Sequence, residues 1–253
     1  MKLGISVNKD DLSELKNIKG YDFLELSDFI FPASISKGEE IIKEALECKI
    51  TDLLGMEGPI RDIKPEAGDE DIKEITITRF KTLIDLASSY NMTYILFFTT
   101  FDNLVKFNSY SDMWLENNKK FWKKLISYAE ARKVMCLYCN VWDDEPYLLK
   151  QLFDYIKSDY FKFAFDIGHA NYISKYSSSV WIQELKEHIK YVAIHDNNGE
   201  RDDHLAIGRG NINIKKIVEE IEDKCKEVTY CIQLFNKSEI QESINMLNEY
   251  IRR

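Results

Sequence analysis

The chain has 253 residues, of which 45% are hydrophobic and 30% are charged, and its formal net charge is −9. This composition is typical of a soluble globular protein, and the length suits one large domain spanning residues 1–253. A protein that grips nucleic acid through its phosphates carries a basic surface, so the acidic balance argues against a DNA or RNA partner. A small neutral substrate, or a pocket that is locally positive or holds a metal ion, fits the charge better.

The cysteines and the apolar segments indicate where the protein works. Five cysteines, an odd number, are scattered along the chain, which fits reduced thiols. Charge appears as early as Lys9 and Asp10, so the opening residues lack the apolar region of a signal peptide. No apolar run approaches the roughly 18 residues that span a bilayer. We therefore expect a cytoplasmic protein with no membrane partner.

Eight short apolar segments rich in β-branched and aromatic residues alternate with longer segments of helical period. Near-continuous hydrophobicity is typical of strands buried on both faces of a parallel sheet. The segments are Lys2–Val7, Tyr21–Leu26, Ile50–Met56, Tyr94–Thr99, Val134–Cys139, Phe161–Asp166, Tyr191–His195 and Val228–Leu234. Eight β–α units predict closure into a (β/α)₈ barrel of the TIM type. An open, doubly wound sheet is the alternative, which the absence of a Gly-rich loop after the first strand weakens.

Apolar residues at helical spacing mark several of the helices between these strands. One stripe is interrupted by Arg79. The stripes are Ile72, Ile75, Leu83 and Leu86; Trp114, Asn118, Phe121, Leu125 and Tyr128; Ile214, Ile217, Val218 and Ile221; and Ile240, Ile244, Leu247 and Ile251. Long loops at 58–71 and 197–210 follow the third and seventh strands, where a barrel of this kind carries its function.

Histidines and carboxylates gather just after the sixth and seventh strands. Asp166 ends the sixth strand and His169 follows three residues later, while His195 ends the seventh strand ahead of Asp202 and His204. Three of the four histidines thus follow two adjacent strands. Carboxylates and imidazoles are ligands for divalent metals and hydrogen-bonding partners for substrates, so this pattern predicts a site at the barrel mouth.

Four segments around these positions resemble a known family. They are similar to the xylose-isomerase-like superfamily, the sugar isomerases and epimerases that share a barrel with DNA repair enzymes of the endonuclease IV type. The segments are FDIGHA at 165–170, IHDN at 194–197, HLAIGRG at 204–210 and GMEGPIRDIKP at 55–65. The likeness follows the whole chain in order and spacing. It implies the barrel fold, a divalent metal at the barrel mouth and a small sugar or polyol as substrate.

The resemblance also assigns residues. The family holds its metal with a Glu after strand five, an Asp after strand six, a His after strand seven and a Glu after strand eight. The Asp falls on Asp166 and the His on His195, whereas the two Glu positions fall on Cys139 and Gln233. The family's histidine after strand three is replaced by Glu57.

These replacements alter the implied chemistry. In the family's epimerases the two glutamates exchange a proton at the substrate carbon while the metal polarises neighbouring oxygens. Gln233 takes up no proton at neutral pH, Cys139 is a thiol able to ligate zinc, and Glu57 restores one carboxylate if it points inward. Glu57, Cys139 and Gln233 are our catalytic candidates, and we expect that the two-glutamate mechanism does not operate unchanged.

The nuclease branch of the superfamily uses three zinc ions, and the residues of its third site match His169, Asp202 and His204. Its other two sites are interrupted on strands three, five and eight, and Phe98 or Thr99 stands at its strand-four histidine. A trinuclear phosphodiesterase is therefore not expected. We assign Asp202 to the metal. For His169 and His204 the preferred role is hydrogen bonding to substrate hydroxyls, and metal binding is the alternative.

Two residues outside these motifs are candidates for substrate binding. Trp142, after the fifth strand, is placed to stack on a sugar ring, with loop packing as the alternative. Arg209 stands where the family often has an acidic residue and is a candidate to attract an anionic substrate, with a surface ion pair as the alternative. Cys136 and Cys139 have the spacing of a redox or zinc pair, but residues three apart on a strand face opposite sides.

The leading functional hypothesis is an isomerase or epimerase with a reduced or altered metal site, in which Asp166, His195 and Asp202 hold zinc or manganese. A hydrogen-bonded pair of Asp166 and His195 without metal is the alternative for the site. A non-catalytic carbohydrate-binding descendant of the family is the alternative for the protein. The sequence specifies neither the sugar nor the oligomeric state.

Overall fold

A computed structural model of the chain describes residues 2–105 and 107–251; the ends of the expected domain, residues 1 and 252–253, lie outside the described residues. Within them, eight parallel strands close into a barrel in chain order, and β8 pairs with β1. The strands are β1 Lys2–Val7, β2 Phe23–Leu26, β3 Asp52–Glu57, β4 Tyr94–Phe98, β5 Met135–Cys139, β6 Phe161–Asp166, β7 Ile189–Ile194 and β8 Thr229–Ile232. The predicted barrel is confirmed.

Helices form the layer outside the barrel. They are α1 Gly38–Glu47, α2 Glu70–Ser89, α3 Tyr110–Glu130, α4 Tyr147–Ile156, α5 Ile167–Ile173, α6 Ser178–Leu185, α7 Ile214–Lys224 and α8 Ile240–Ile251, with 3-10 helices at Lys9–Asn17, Pro32–Lys37 and Lys237–Glu239. Side chains cap several of them: Asp69 accepts the backbone N–H of Asp71 at the start of α2 at 2.9 Å. No helix in the described ranges is long and apolar enough to cross a membrane.

The strands separate two layers of apolar side chains. On β5, Cys136 and Tyr138 pack outward against the helices, whereas Leu137 and Cys139 fill the barrel interior. This alternation follows from the two-residue period of a strand, and it confirms that Cys136 and Cys139 face opposite sides. All five cysteines are unpaired thiols in the described structure.

One predicted helical stripe is only half right. Leu83 is buried and Leu86 is partly buried against the core, but Ile72 and Ile75 are 45% and 52% exposed. The buried face of α2 consists of Thr76, Ile77, Phe80, Leu83, Ile84 and Ala87. In the first turns of α2 the inward face therefore passes through Thr76 and Ile77 and not through Ile72 and Ile75. The stripe of α7 is buried as predicted.

Register shifts at two strand pairs set which residues point into the barrel. Between β2 and β3, Leu24 pairs with Leu53 but Glu25 pairs with Gly55, so β3 carries one extra residue. Such a bulge changes the direction of the side chains that follow it. Gly55 accordingly lies against the inward ring of Tyr94, where an added Cβ would come within 2.3 Å of the ring. Glu57, two residues later, then faces inward at the carboxyl end of β3.

Candidate functional site

A cavity of about 260 Å³ opens at the carboxyl ends of the strands. His169, Asp202 and His204 line one side, and Glu57 and Lys237 also face it. We call the cluster of Asp166, His169, His195, Asp202 and His204 the histidine wall; His169, Asp202 and His204 line the cavity, and Asp166 and His195 are buried. The volume suits a small molecule.

Hydrogen bonds fix both the backbone and the ring of His169. Asp166, the last residue of β6, caps α5 by accepting the backbone N–H of His169 on Oδ1 at 2.7 Å. The imidazole Nδ1 lies 2.9 Å from the backbone oxygen of Asn140, a group that accepts hydrogen bonds. This contact places a proton on Nδ1. The Nε2 atom lies 3.2 Å from Oδ2 of Asp202, donates to that carboxylate while it carries a proton, and can bind a cation once that proton is lost.

His204 repeats this arrangement from the other side of Asp202. Its Nδ1 lies 2.8 Å from the backbone oxygen of Gln233, and its Nε2 lies 3.2 Å from Oδ1 of Asp202. The backbone of His204 is in the left-handed region, with φ of 44°. Phe235 covers the ring, with centroids 4.4 Å apart. Two imidazole Nε2 atoms therefore converge on the two oxygens of one carboxylate.

His195 packs against His204 within the histidine wall. It is fully buried, its ring stacks on that of His204 at 3.7 Å, and its Nε2 lies 3.0 Å from Oδ1 of Asp166. Gly168 makes room for it, because a Cβ on that residue would lie 2.0 Å from the His195 ring. The glycine of the FDIGHA segment is thus required by the close approach of the first turn of α5 to the His195 imidazole.

The histidine wall fits a divalent metal ion. The ligand atoms of His169, His195, Asp202 and His204 lie within 4.8 Å of one another. Oδ2 of Asp166, Nδ1 of His195 and Oδ1 of Asp202 are buried without a hydrogen-bond partner in the described structure. The two N···O separations of 3.2 Å around Asp202 are those of hydrogen-bonded or ion-paired groups, and ligands of one zinc ion lie at a similar separation, about 3.3 Å.

Charges on the histidine wall compensate one another. Burial raises the pKa of Asp166, but the charges of His169 and His195 outweigh burial and hold this pKa at about 2. Burial lowers the pKa of His169, and the charges of Asp166 and Asp202 reverse that effect and raise it to about 9. Burial, opposed by Asp166, lowers the pKa of His195. The carboxylates here are stable in the charged form.

The same cavity is also lined by a carboxyl group in a different environment. Glu57 is 7% exposed, accepts a hydrogen bond from the hydroxyl of Ser6, and lies 3.4 Å from Nε2 of Gln233. Burial, followed by the charge of Glu25, raises the pKa of Glu57 to about 8. Glu57 does point inward, and near neutral pH it can both hold and release a proton.

Glu25 and Lys237 were missed by the sequence reasoning. Glu25 lies fully buried inside the barrel, where the Tyr191 hydroxyl donates to both of its oxygens at 2.9 Å. A glutamate inside the apolar strand Phe-Leu-Glu-Leu was the available signal. Lys237 lines the cavity and donates to the backbone oxygen of Leu234 at 2.7 Å. It stands on a 3-10 helix after β8, and nothing in the local pattern distinguishes it from a surface lysine.

The remaining predicted residues are divided between the cavity and its surroundings. Gln233 lines the cavity, and Phe98, not Thr99, lines it at the strand-four position. Cys139 is fully buried, and burial raises the pKa of its thiol well above the usual value. It forms a second group of ligand atoms with Asp166 and His169.

Trp142 and Arg209 lie outside this cavity. Trp142 lines a neighbouring cavity, where the guanidinium carbon of Arg61 lies 5.5 Å from its ring. Arg209 is at the surface, where it pairs with Glu242 at 3.1 Å and with Glu239 at 3.5 Å. The structure therefore does not bring Arg209 to the histidine wall.

Comparisons with known proteins agree with this architecture. An uncharacterized protein of Methanocaldococcus jannaschii, MJ1311, is 28% identical over 204 residues, which cover 76% of this chain and 68% of that protein. A D-tagatose 3-epimerase-like protein superposes with a TM-score of 0.82 at 22% identity, covering 100% of this chain and 97% of its own. The TTHB071 protein of Thermus thermophilus, soaked with zinc chloride, superposes with a TM-score of 0.80 at 17% identity, covering 99% and 98% of the two chains.

The family comparison extends over most of the barrel. The family model described as the xylose isomerase-like TIM barrel matches residues 12–250. That range contains seven of the eight strands and every residue of the histidine wall. The chain belongs to the xylose isomerase-like TIM barrel family.

Proposed function

We propose that the protein is a metal-dependent isomerase or epimerase of a small sugar or polyol. One observation carries the proposal: Nε2 of His169 and Nε2 of His204 converge on the carboxylate of Asp202 in the same cavity that Glu57 lines. A metal site and a proton-transferring carboxyl then face one substrate-sized space. The sugar epimerase fold of the D-tagatose 3-epimerase-like protein supports this choice of substrate class.

The metal ligands in this proposal are His169, Asp202 and His204, with His195 beside them. This reverses the preference stated from the sequence, in which His169 and His204 bind substrate hydroxyls. The reason is the direction of the rings: both Nδ1 atoms face backbone oxygens, so the Nε2 lone pairs remain for a cation. The zinc soak of the Thermus protein is consistent with zinc as the ion.

A bound metal would supply Lewis-acid polarisation of the substrate oxygens next to the reacting carbon. Glu57 takes the proton from that carbon and delivers it to the adjacent carbon, which interconverts an aldose and a ketose, since a carboxyl with a pKa near 8 changes its charge close to working pH. Gln233 donates its amide N–H towards Glu57 and orients it without exchanging a proton. The buried setting of Glu57 keeps water from competing for the transferred proton.

Metal analysis tests the first half of the proposal. Untagged protein reconstituted with zinc or manganese and dialysed should retain about one ion per chain by elemental analysis. His204→Ala and Asp202→Asn should lose it, whereas His188→Ala should retain it, because His188 pairs with Asp154 away from the cavity. Wild-type protein that stays free of metal after reconstitution would overturn the proposal.

Proton exchange tests the second half. The reconstituted protein is incubated in deuterium oxide with a panel of ketoses, aldoses and polyols, and NMR follows the loss of carbon-bound protons. We expect exchange with at least one compound and its abolition by Glu57→Gln. Binding of a sugar, seen by thermal shift and unchanged by chelator, without any exchange would favour the second candidate, a non-catalytic carbohydrate-binding protein. The replacement of the family's two glutamates by Cys139 and Gln233 favours that candidate.

A further inference from the structure

We propose that Glu25 and Glu57 form a carboxyl pair that shares one proton, with Glu25 acting as a positioning residue that sets the protonation state of Glu57. The catalytic consequence rests on the proposed function, whereas the one-proton state of the pair does not. The pair would take over, on strands two and three, the proton exchange that the family resemblance assigns to strands five and eight.

The backbone brings the two side chains together. Glu25 is opposite Gly55 in the β2–β3 register, and Leu26 is opposite Met56, so Glu57 follows directly at the end of the neighbouring strand. Both point into the barrel. The amide of Gln233 bridges them, with Nε2 at 3.2 Å from Oε1 of Glu25 and at 3.4 Å from Oε1 of Glu57. An amide at this position donates to both carboxyl groups at once.

The surroundings of the pair are neutral apart from one lysine, Lys237. In the described structure, the hydrogen bonds to Glu25 come from hydroxyl, amide and thiol groups. The titratable and polar groups that face the pair from the packed elements are Ser6 on β1, Tyr94 on β4, Cys139 on β5, Tyr191 on β7, Cys231 on β8, Gln233 and Lys237. Lys237 is the cation among them, and it donates to the backbone oxygens of Ser6 at 3.3 Å and Leu234 at 2.7 Å.

Two buried carboxylates in such a place do not both ionise. Like charges at close range raise one pKa strongly, and burial disfavours each charge separately. Burial raises the pKa of Glu25 despite its hydrogen bonds, and burial together with the charge of Glu25 raises that of Glu57 to about 8. The favoured state at neutral pH is one proton on two carboxyl groups, and such a pair can either accept or donate a proton.

This arrangement gives a physical reason for the amide on strand eight. A glutamate at 233 would place a third carboxyl against Glu25 and Glu57, with no further cation to compensate it among the described neighbours. Gln233 instead supplies N–H groups to two acceptors. The strand-eight residue changes from a proton carrier into the bridge that holds the pair together.

Infrared titration tests the pair without requiring a substrate. Wild-type protein should show the carbonyl stretch of a protonated carboxyl at neutral pH, disappearing with a midpoint near 8. In Glu25→Gln the midpoint of Glu57 should fall by about one pH unit or more, because the neighbouring charge is gone. Glu66→Gln is the matched control: it removes a buried carboxyl that Thr100 hydrogen-bonds, and should leave the midpoint unchanged.

A second variant covers the case in which Glu25→Gln does not fold. Tyr191→Phe keeps both carboxyl groups and removes the hydroxyl that donates to Glu25, so the midpoint should rise. An unchanged midpoint in either folded variant would overturn the pair. If an exchanging substrate is found, the pH profile of kcat/KM in Glu25→Gln should move to lower pH with the infrared midpoint. A shifted midpoint without any sugar exchange would defeat the proposed function and leave the pair intact.

Discussion

The two sides of the cavity treat buried carboxyl groups in opposite ways. On the histidine wall, Asp166 and Asp202 lie beside imidazoles, and the pKa of each carboxylate is lowered. Glu25 and Glu57 lie beside hydroxyl and amide donors, and their pKa values are raised. Asp202 and Glu57 line the same cavity, and Asp166 and Glu25 are buried. Burial raises all four pKa values, and only the imidazoles beside Asp166 and Asp202 reverse that effect.

The largest effect is expected from a substitution at Glu57. Glu57→Gln removes the proton-transferring group and should lower the rate of substrate deuterium exchange by about 10²–10⁴-fold. Metal content should not change, because Glu57 contributes no atom to either group of candidate ligands. Exchange kinetics and elemental analysis on the same preparation separate the two sides. Wild-type exchange in Glu57→Gln would remove Glu57 from the mechanism.

The pH dependence of the free energy of unfolding tests whether the pKa of Glu57 is raised. A carboxyl whose pKa is raised on folding stabilises the protein most below its unfolded pKa, about 4.3, and loses that contribution as pH rises through its folded pKa, here about 8. In the Glu57→Gln variant, residue 57 has no group that ionises. The variant should therefore gain stability relative to wild type between pH 5 and pH 9, by a few kcal/mol at most.

Urea unfolding of both proteins at several pH values measures this gain. His169, whose pKa is raised to about 9, loses its own stabilising contribution between about pH 6.5 and 9 in both proteins. That shared effect cancels in the difference between them. Stability curves that run parallel from pH 5 to pH 9 would contradict a raised pKa at Glu57.

Gly168→Ala should break the histidine wall. Its Cβ would lie 2.0 Å from the His195 ring, and that ring is fixed between Asp166 and the stacked His204. We expect a loss of about 1–3 kcal/mol in the free energy of unfolding, typical of overpacking, together with weaker metal binding. Thermal unfolding and metal titration check both effects. Gly199→Ala does not serve as a matched control, because Gly199 has a φ of 80° and an alanine there would add backbone strain.

The smallest effect is expected at Arg209, which lies outside the cavity. Arg209 pairs with Glu239 and Glu242 at the surface and is half exposed. Exposed pairs contribute little, so Arg209→Ala should change the free energy of unfolding by less than about 1 kcal/mol and leave KM unchanged. A raised KM for anionic substrates alone would restore the expectation that Arg209 attracts them.

The barrel and the histidine wall were predictable because their signals are local. Eight apolar segments separated by helical ones specify a parallel barrel, and parallel strands end at one rim, so Asp166 and His195 had to lie near each other. His169 and His195 follow their strands within three residues, and His204 lies in the loop ten residues after the end of β7. The role of the His169 and His204 rings was not predictable, because it depends on which backbone oxygen each Nδ1 faces.

The carboxyl pair could not be predicted for a different reason. Glu25 reads as one charged residue within an apolar strand, and its partner Glu57 lies 32 positions further along the chain. Their meeting depends on the extra residue in β3, which a sequence pattern does not reveal. The first half of the α2 stripe was predicted wrongly because Ile72 and Ile75 have the right spacing but lie outside the contact surface, whereas Leu83 and Leu86 pack against the core.

Phe235 makes one part of this site open to redesign. Its ring covers His204, lines the cavity and is still 70% exposed, and it contributes no atom to either group of candidate metal ligands. Replacing a side chain this exposed rarely unfolds a protein. Substitutions at position 235 can therefore vary the width and polarity of the cavity entrance. A library of variants at this single position would test alternative substrates without changing the candidate metal ligands or Glu57.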